Sequence, residues 1–330
     1  MRQAKNPYRQ KDHGGFDGEW LPHKGASGWW YVTGHLRETG RPDSLYSYQF
    51  TVVNAVFGKL SAYVLQLALT DLRKGEHRFK QQPNLTGRGV RVDRREVVFG
   101  SIARLRREGD LTRFEADTDR FGMSLSLGSG KGAFWHGDGG VLVMGVPGDP
   151  RQRTVYYSYP NMPTVGEITI DGRRLAVSGK SWMDRQWGPF RMLDLRTHWE
   201  WFSLRFHDDE EVMLFAFPQD PYRDGTYIDK AGTARRIRDY SYEPMELIDV
   251  NGLTYSRGWR LTLPGIREER YEIRPLSEHQ NNLGYFELLA GIYDPQGVER
   301  GLCFVELLPG ARTPKSRVRW SKAFTLFRKA

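Results

Sequence analysis

The chain has 330 residues, 13% of them aromatic, with 36 glycines and a formal charge of +9. A single β-barrel or sandwich rarely needs more than about 200–250 residues, so this length favours two domains, each with its own core. One cysteine, Cys303, excludes an intramolecular disulfide framework and any cysteine-built zinc or iron–sulfur centre.

Positive charge of this size is compatible in principle with nucleic acid or a membrane surface. Its distribution argues instead for a solvated face. Arginines fall in short groups, Arg88, Arg91, Arg94 and Arg95, then Arg104, Arg106 and Arg107, beside turns or alternating along strands. The opening fifteen residues are polar and charged, without the apolar segment of a secretory leader, and no run reaches the ~18 apolar residues of a membrane span. The expectation is a cytoplasmic protein in a reduced setting, with no nucleic-acid partner and no stable membrane insertion. Its oligomeric state is left open.

From Trp29 the text breaks into short stretches of period-two alternation, each ended by Gly, Pro, Asp or Asn, as in an antiparallel meander. Trp30–Leu36, Leu45–Val53, Tyr63–Asp71, Val97–Arg106, Thr112–Thr118 and Met123–Leu127 read as strands, with turns at Gly40–Asp43, Lys74-Gly75 and Gly109-Asp110. Val155–Tyr159 follows. Ile168–Ile170, Asp171-Gly172 and Leu175–Gly179 then form a hairpin that looks like the bridge between halves. A second series comprises Thr197–Phe206, Glu211–Phe217, Gly225–Asp229, Trp259–Leu263, Tyr271–Pro275, Tyr285–Tyr293 and Gly301–Leu307. Only Asn54–Leu60 and Lys315–Ala323 are compatible with helix. Closing such meanders removes exposed edges, and an eight-stranded closure can hold one small ligand. The expected fold is therefore all-β, with two antiparallel barrels packed together, 1–165 and 166–330.

Most chemical signatures are missing. Gly128–Gly132 resembles a phosphate loop but lacks the strand-to-helix context, and reads as a turn. The eight histidines show no paired helical spacing for a metal, and His136 with Asp138 reads better as a loop hydrogen-bond pair than as a metal site. No metal or other cofactor is expected. The distinctive segment is Gly179–Phe190, which sets Trp182 and Trp187 around Asp184 and Arg185. In a strand, alternation puts Trp182, Asp184 and Gln186 on one face and Met183, Arg185 and Trp187 on the other. An acid in an aromatic wall has its pKa raised by desolvation, as a proton donor at neutral pH requires. An Asp–Arg pair with tryptophans as core filler is the structural alternative. By strand phase, Tyr157 and Tyr159 share a face, and Trp201 is a candidate pocket lining.

The runs Trp29–Leu36, Ala68–Asp71, His136–Gly139, Tyr156–Pro160, Trp182–Gly188 and Trp201–Leu204 resemble the AttH-type lipocalin-like family, which includes carotenoid 1,2-hydratases (hydroxyneurosporene synthases). The similarity runs from about Gly28 to Glu306, and Trp-Met-Asp-x-x-Trp-Gly is its specific part. The resemblance implies two lipocalin-like (calycin) barrels and cofactor-free chemistry on an apolar small-molecule substrate, with lipocalin-like Diels–Alderases as distant relatives. The hydratases carry a histidine after the motif Asp, where this sequence has Arg185; the Trp matches at Trp187. A guanidinium does not serve as a general acid or base but does polarise a carbonyl. The expectation is a cofactor-independent cyclase of polyenes or polyketides. Asp184, Arg185 and Trp187 would be catalytic, and Tyr157, Tyr159, Trp201, Trp182 and His136 substrate-binding. Hydration or isomerisation of an isoprenoid double bond, and non-catalytic carriage of an apolar ligand, are the alternatives.

Overall fold

The computed structural model describes residues 15–57, 60–144, 152–189, 199–217, 222–250, 253–283 and 285–308. The chain forms two compact units, 1–192 and 193–330. Among the described residues the first holds one helical turn, α1 (Phe16–Glu19), and thirteen strands. In chain order these are β1 (Ser27–Glu38), β2 (Arg41–Phe57), β3 (Leu60–Asp71), β4 (Glu76–Asn84), β5 (Val90–Val92), β6 (Glu96–Phe99) and β7 (Ala103–Glu108). There follow β8 (Leu111–Asp117), β9 (Phe121–Gly128), β10 (Phe134–Trp135), β11 (Val141–Val143), β12 (Arg153–Ile170) and β13 (Arg173–Gly188). They build one curled antiparallel sheet in the order β4-β3-β2-β1-β13-β12-β9-β8-β7-β6-β5, with β10 and β11 added to β12.

The second unit carries β14 (Glu200–Phe206), β15 (Glu211–Ala216), β16 (Arg223–Ile228), β17 (Ala234–Ile237), β18 (Ser241–Pro244) and β19 (Leu247–Val250). It continues with β20 (Leu253–Ser256), β21 (Trp259–Leu263), β22 (Arg267–Pro275), β23 (Phe286–Tyr293) and β24 (Glu299–Leu307). Nine of these form a second curled sheet, ordered β17-β16-β15-β14-β24-β23-β22-β21-β18, and β19 pairs with β20 alone. The all-β, lipocalin-like architecture is as expected.

Three expectations need correction. Asn54–Phe57 continues β2 rather than forming a helix, because its residues pair in register with Leu60–Tyr63. The boundary between 165 and 166 falls inside β12, and the 168–179 hairpin is no bridge: both its arms lie in the first sheet, whose unit runs to 192. A bulge at Tyr159/Met162, with Asn161 at φ 53°, interrupts β12 without ending it, which is why its two ends read as separate strands. The 315–323 stretch lies outside the described residues.

Each unit has its own apolar core. In β8 the burial alternates residue by residue, with Thr112, Phe114 and Ala116 inward, so period-two patterning alone places Phe114 against Tyr48 and Phe50. The first core also takes Trp30, Val32, Leu67, Leu125 and Met183; the second takes Phe202, Leu204, Trp259, Ile273, Cys303 and Val305. Burying each such side chain contributes about 1.5–3 kcal/mol. At Gly34 the first sheet needs glycine: a Cβ there would sit 2.5 Å from the Tyr48 ring, which crosses the strand at that point.

Candidate active site

Strand β13 changes character along its length. Residues 173–180 are mostly exposed or half-buried, whereas Ser181–Gly188 are all buried on both faces of the strand. Alternation sends Met183 into the core, so Asp184, Trp182 and Gln186 project from the opposite face of the sheet. The register of β12 sets Ser158 opposite Asp184 and Tyr156 opposite Gln186. Strand pairing thus brings Tyr156 and Ser158 beside Asp184.

Asp184 accepts three side-chain hydrogen bonds. The Tyr156 hydroxyl donates to Oδ2 at 2.9 Å, the Trp182 indole N–H to Oδ1 at 2.6 Å, and the Ser158 hydroxyl also to Oδ1. Burial pushes the carboxyl up to about 7, against these three donors, which favour the ionised form. The group is therefore poised to hold or release a proton near neutrality. Ser158 Oγ also meets His136 Nε2 at 2.7 Å. With the hydroxyl donating to Asp184, the histidine is the donor in that bond. Burial pulls the imidazole down to about 3, so His136 is neutral and cannot compete with Asp184 for a proton.

A glycine-rich hairpin presents His136. Its main-chain N–H bonds Tyr156 O at 3.0 Å, and Asp138 and Val141 exchange backbone bonds at 2.8 and 3.1 Å. Gly137 has φ 68° and lies so close to Val141 that a Cβ would come within 2.3 Å of its carbonyl oxygen. The expected His136–Asp138 pair gives way to a His136–Ser158 bond. Among the described residues no group of three or more His, Cys, Asp or Glu is placed to hold a metal.

Arg185 points the other way, into the barrel, and does not pair with Asp184. Its guanidinium donates to the carbonyls of Trp20 (3.1 Å), Leu21 (2.7 Å), Trp29 (3.3 Å) and Gln186 (2.7 Å), and lies 4.3 Å over the Trp30 ring. Burial lowers its pKa to about 10, which leaves it charged at neutral pH. The residue anchors the 16–21 segment to the barrel. Trp187 shares this face, stacked on the His23 ring at 3.6 Å and packed with Ala26, Val141 and Val155. Tyr157 lies opposite Arg185, and its hydroxyl donates to Phe16 O at 3.1 Å; Tyr159 lies 6.2 Å from the Tyr157 ring. Trp201 belongs to the second unit, buried on the face of β14 opposite Phe202 and the second core.

The structure therefore brings Asp184, Trp182 and His136 together, and sets Arg185, Trp187, Tyr157 and Tyr159 on the other side of the same sheet. Tyr156 and Ser158 complete the Asp184 cluster, and the sequence reading passed over both. Their signal was phase: in Tyr156–Tyr159 the alternate pair to Tyr157 and Tyr159 is Tyr156 and Ser158, and only the register with β13 decides which pair meets the acid.

Crystal structures of other proteins share this fold. An AttH-type protein of Nitrosomonas europaea superposes with a TM-score of 0.76 at 23% identity, covering 88% of this chain and 95% of that one. Kievitone hydratase of Nectria haematococca gives 0.71 at 17% identity, covering 86% and 89%. No curated protein matches the sequence. The AttH-like family description matches residues 9–310, most of the chain. The chain belongs to the AttH-like family.

Proposed function

We propose that this protein is a cofactor-free enzyme of hydratase type, which adds or removes water at, or isomerises, a double bond of an apolar small molecule. Asp184 is the group that hands over the proton. The observation that supports this reading is the buried carboxyl held by Tyr156, Trp182 and Ser158, with a neutral His136 behind Ser158. A fixed acid of this kind protonates an alkene carbon to leave a carbocation, and the Asp184 carboxylate so formed takes back one proton, either from the water that captures the cation or from a neighbouring C–H bond whose electrons form the new double bond. Tyr156 serves the same step: once Asp184 Oδ2 carries the proton it donates to the phenol oxygen, freeing the Tyr156 O–H to turn toward a guest. Kievitone hydratase, of the same fold, bears a hydratase name that agrees with this chemistry.

The cyclase reading has less support. It needs Arg185 to polarise a substrate carbonyl, and that guanidinium is engaged by four protein carbonyls. A purely positional Diels–Alder reaction would also leave the proton-bearing cluster without work.

Turnover of a polyene or polyketide substrate in heavy water tests the reading. Hydration or isomerisation places a new C–D bond in the product, the removal of water releases water from the substrate's hydroxyl carbon, and in either case Asp184→Asn lowers kcat by about 10²–10⁴. Cyclised product without deuterium favours the pericyclic reaction instead. Ligand recovered unchanged after saturation binding makes the protein a carrier.

A further inference from the structure

Two pairs of neighbouring arginines, eleven residues apart in the sequence, line one cleft of the first unit. The turn between β5 and β6 contributes Arg94 and Arg95, the end of β7 contributes Arg106 and Arg107, and pairing of β6 with β7 joins them. The cleft, about 830 Å³, is completed by Asp17, Gly18, Leu21, Glu108 and Gly109. Leu21 is its one large apolar residue, so the space suits a polar guest.

The arginines are presented, not merely exposed. Asp93 Oδ1 accepts from the main-chain N–H groups of Arg95 (2.8 Å) and Glu96 (3.0 Å), which fixes the turn, and Arg107 N bonds Arg95 O at 2.7 Å. Arg107 lies 5.2 Å over the buried Trp20 ring and pairs with Asp17 at 2.6 Å. The other nearby carboxylates are taken. Glu96 holds Arg91 and Arg104, and Glu108 is shared by Arg106 at 3.3 Å and Arg113 at 2.7 Å. Arg94 and Arg95 have no carboxylate partner among the described residues.

We propose that this cleft binds a phosphate-bearing anion of diphosphate size. Arg94 and Arg95 from the β5–β6 turn and Arg107 from β7 supply three guanidinium forks, which match two phosphoryl groups better than one because each planar fork donates two parallel hydrogen bonds to one group, while Arg106, its neighbour on the strand, is turned to Glu108. Asp17 stands in for the anion on Arg107. The proposal is independent of the reading of Asp184.

Calorimetric titration of the full chain with pyrophosphate, and separately with orthophosphate, tests it. The expected result is saturable 1:1 binding of pyrophosphate, about tenfold tighter than orthophosphate. The double variant R94Q/R95Q, in exposed residues whose loss does not threaten folding, weakens pyrophosphate binding by about tenfold or more. R88Q/R120Q, which removes the same charge elsewhere, changes it by less than about threefold. Asp17→Asn, which frees Arg107, tightens it. Absence of saturable binding overturns the proposal, as does equal loss in the two double variants, which marks a diffuse response to net charge. Weaker binding in Asp17→Asn overturns the role given to Arg107.

Discussion

Asp184 and His136 are joined through one hydroxyl, and burial moves them in opposite directions, the carboxyl up to about 7 and the imidazole down to about 3. Both shifts disfavour charge in a dry site, yet their consequences for stability have opposite signs. For Asp184 the folded chain holds a proton that the unfolded chain has lost, so its contribution falls as pH rises from 3.8 through about 7. For His136 the unfolded chain binds the extra proton, so its contribution rises with pH from about 3 to 6.5. Denaturation at several pH values separates them: Asp184→Asn gains stability relative to the parent over the first window, and His136→Gln loses the parent's rise over the second. If protonated Asp184 is the acid, kcat falls above about 7. Tyr156→Phe removes a donor that favours the carboxylate, so that fall moves to higher pH; a profile unmoved in this variant contradicts the assigned contact.

At the scale of elements, β13 carries two tasks on its two faces. One face holds the acid; the other, through Arg185, holds the 16–21 segment against the barrel. Truncating Arg185 to Met removes the guanidinium donor from the carbonyls of Leu21 and Trp29 and leaves Trp20 O with the Trp30 indole N–H alone (2.9 Å), at an expected cost of about 2–4 kcal/mol. Thermal melts check the loss. The pH midpoint of activity in the surviving folded fraction should stay where Asp184 sets it, because Arg185 points away from the acid. The strands themselves were largely legible, since alternation and turn residues such as Lys74-Gly75 and Gly109-Asp110 mark them locally. The face assignment of Trp182, Asp184, Arg185 and Trp187 was legible for the same reason. What each face meets was not: Arg185's four carbonyl partners lie up to 165 residues away in sequence, and the Tyr156–Asp184 contact depends on the register of β12. The bulge at Tyr159/Met162 hid the continuity of β12 and, with it, the extent of the first unit.

For the whole molecule, two curled sheets each enclose an apolar cluster, and the AttH-like family description spans both. Cys303 reports on the second. It is fully buried among strands β14, β23 and β24, and burial raises its thiol pKa above the ordinary range. Labelling by a water-soluble disulfide reagent should therefore be slower in the native protein than in denaturant by about 10³ or more, set by opening of that sheet. Fast native labelling contradicts the packing described. The proposed chemistry, by contrast, resides in the first sheet and in one carboxyl. Difference infrared titration of the parent against Asp184→Asn measures that carboxyl directly. The parent should show a protonated-carboxyl band, absent from the variant, that disappears with a midpoint near 7. A band lost in the ordinary carboxylate range, or present equally in both proteins, contradicts it.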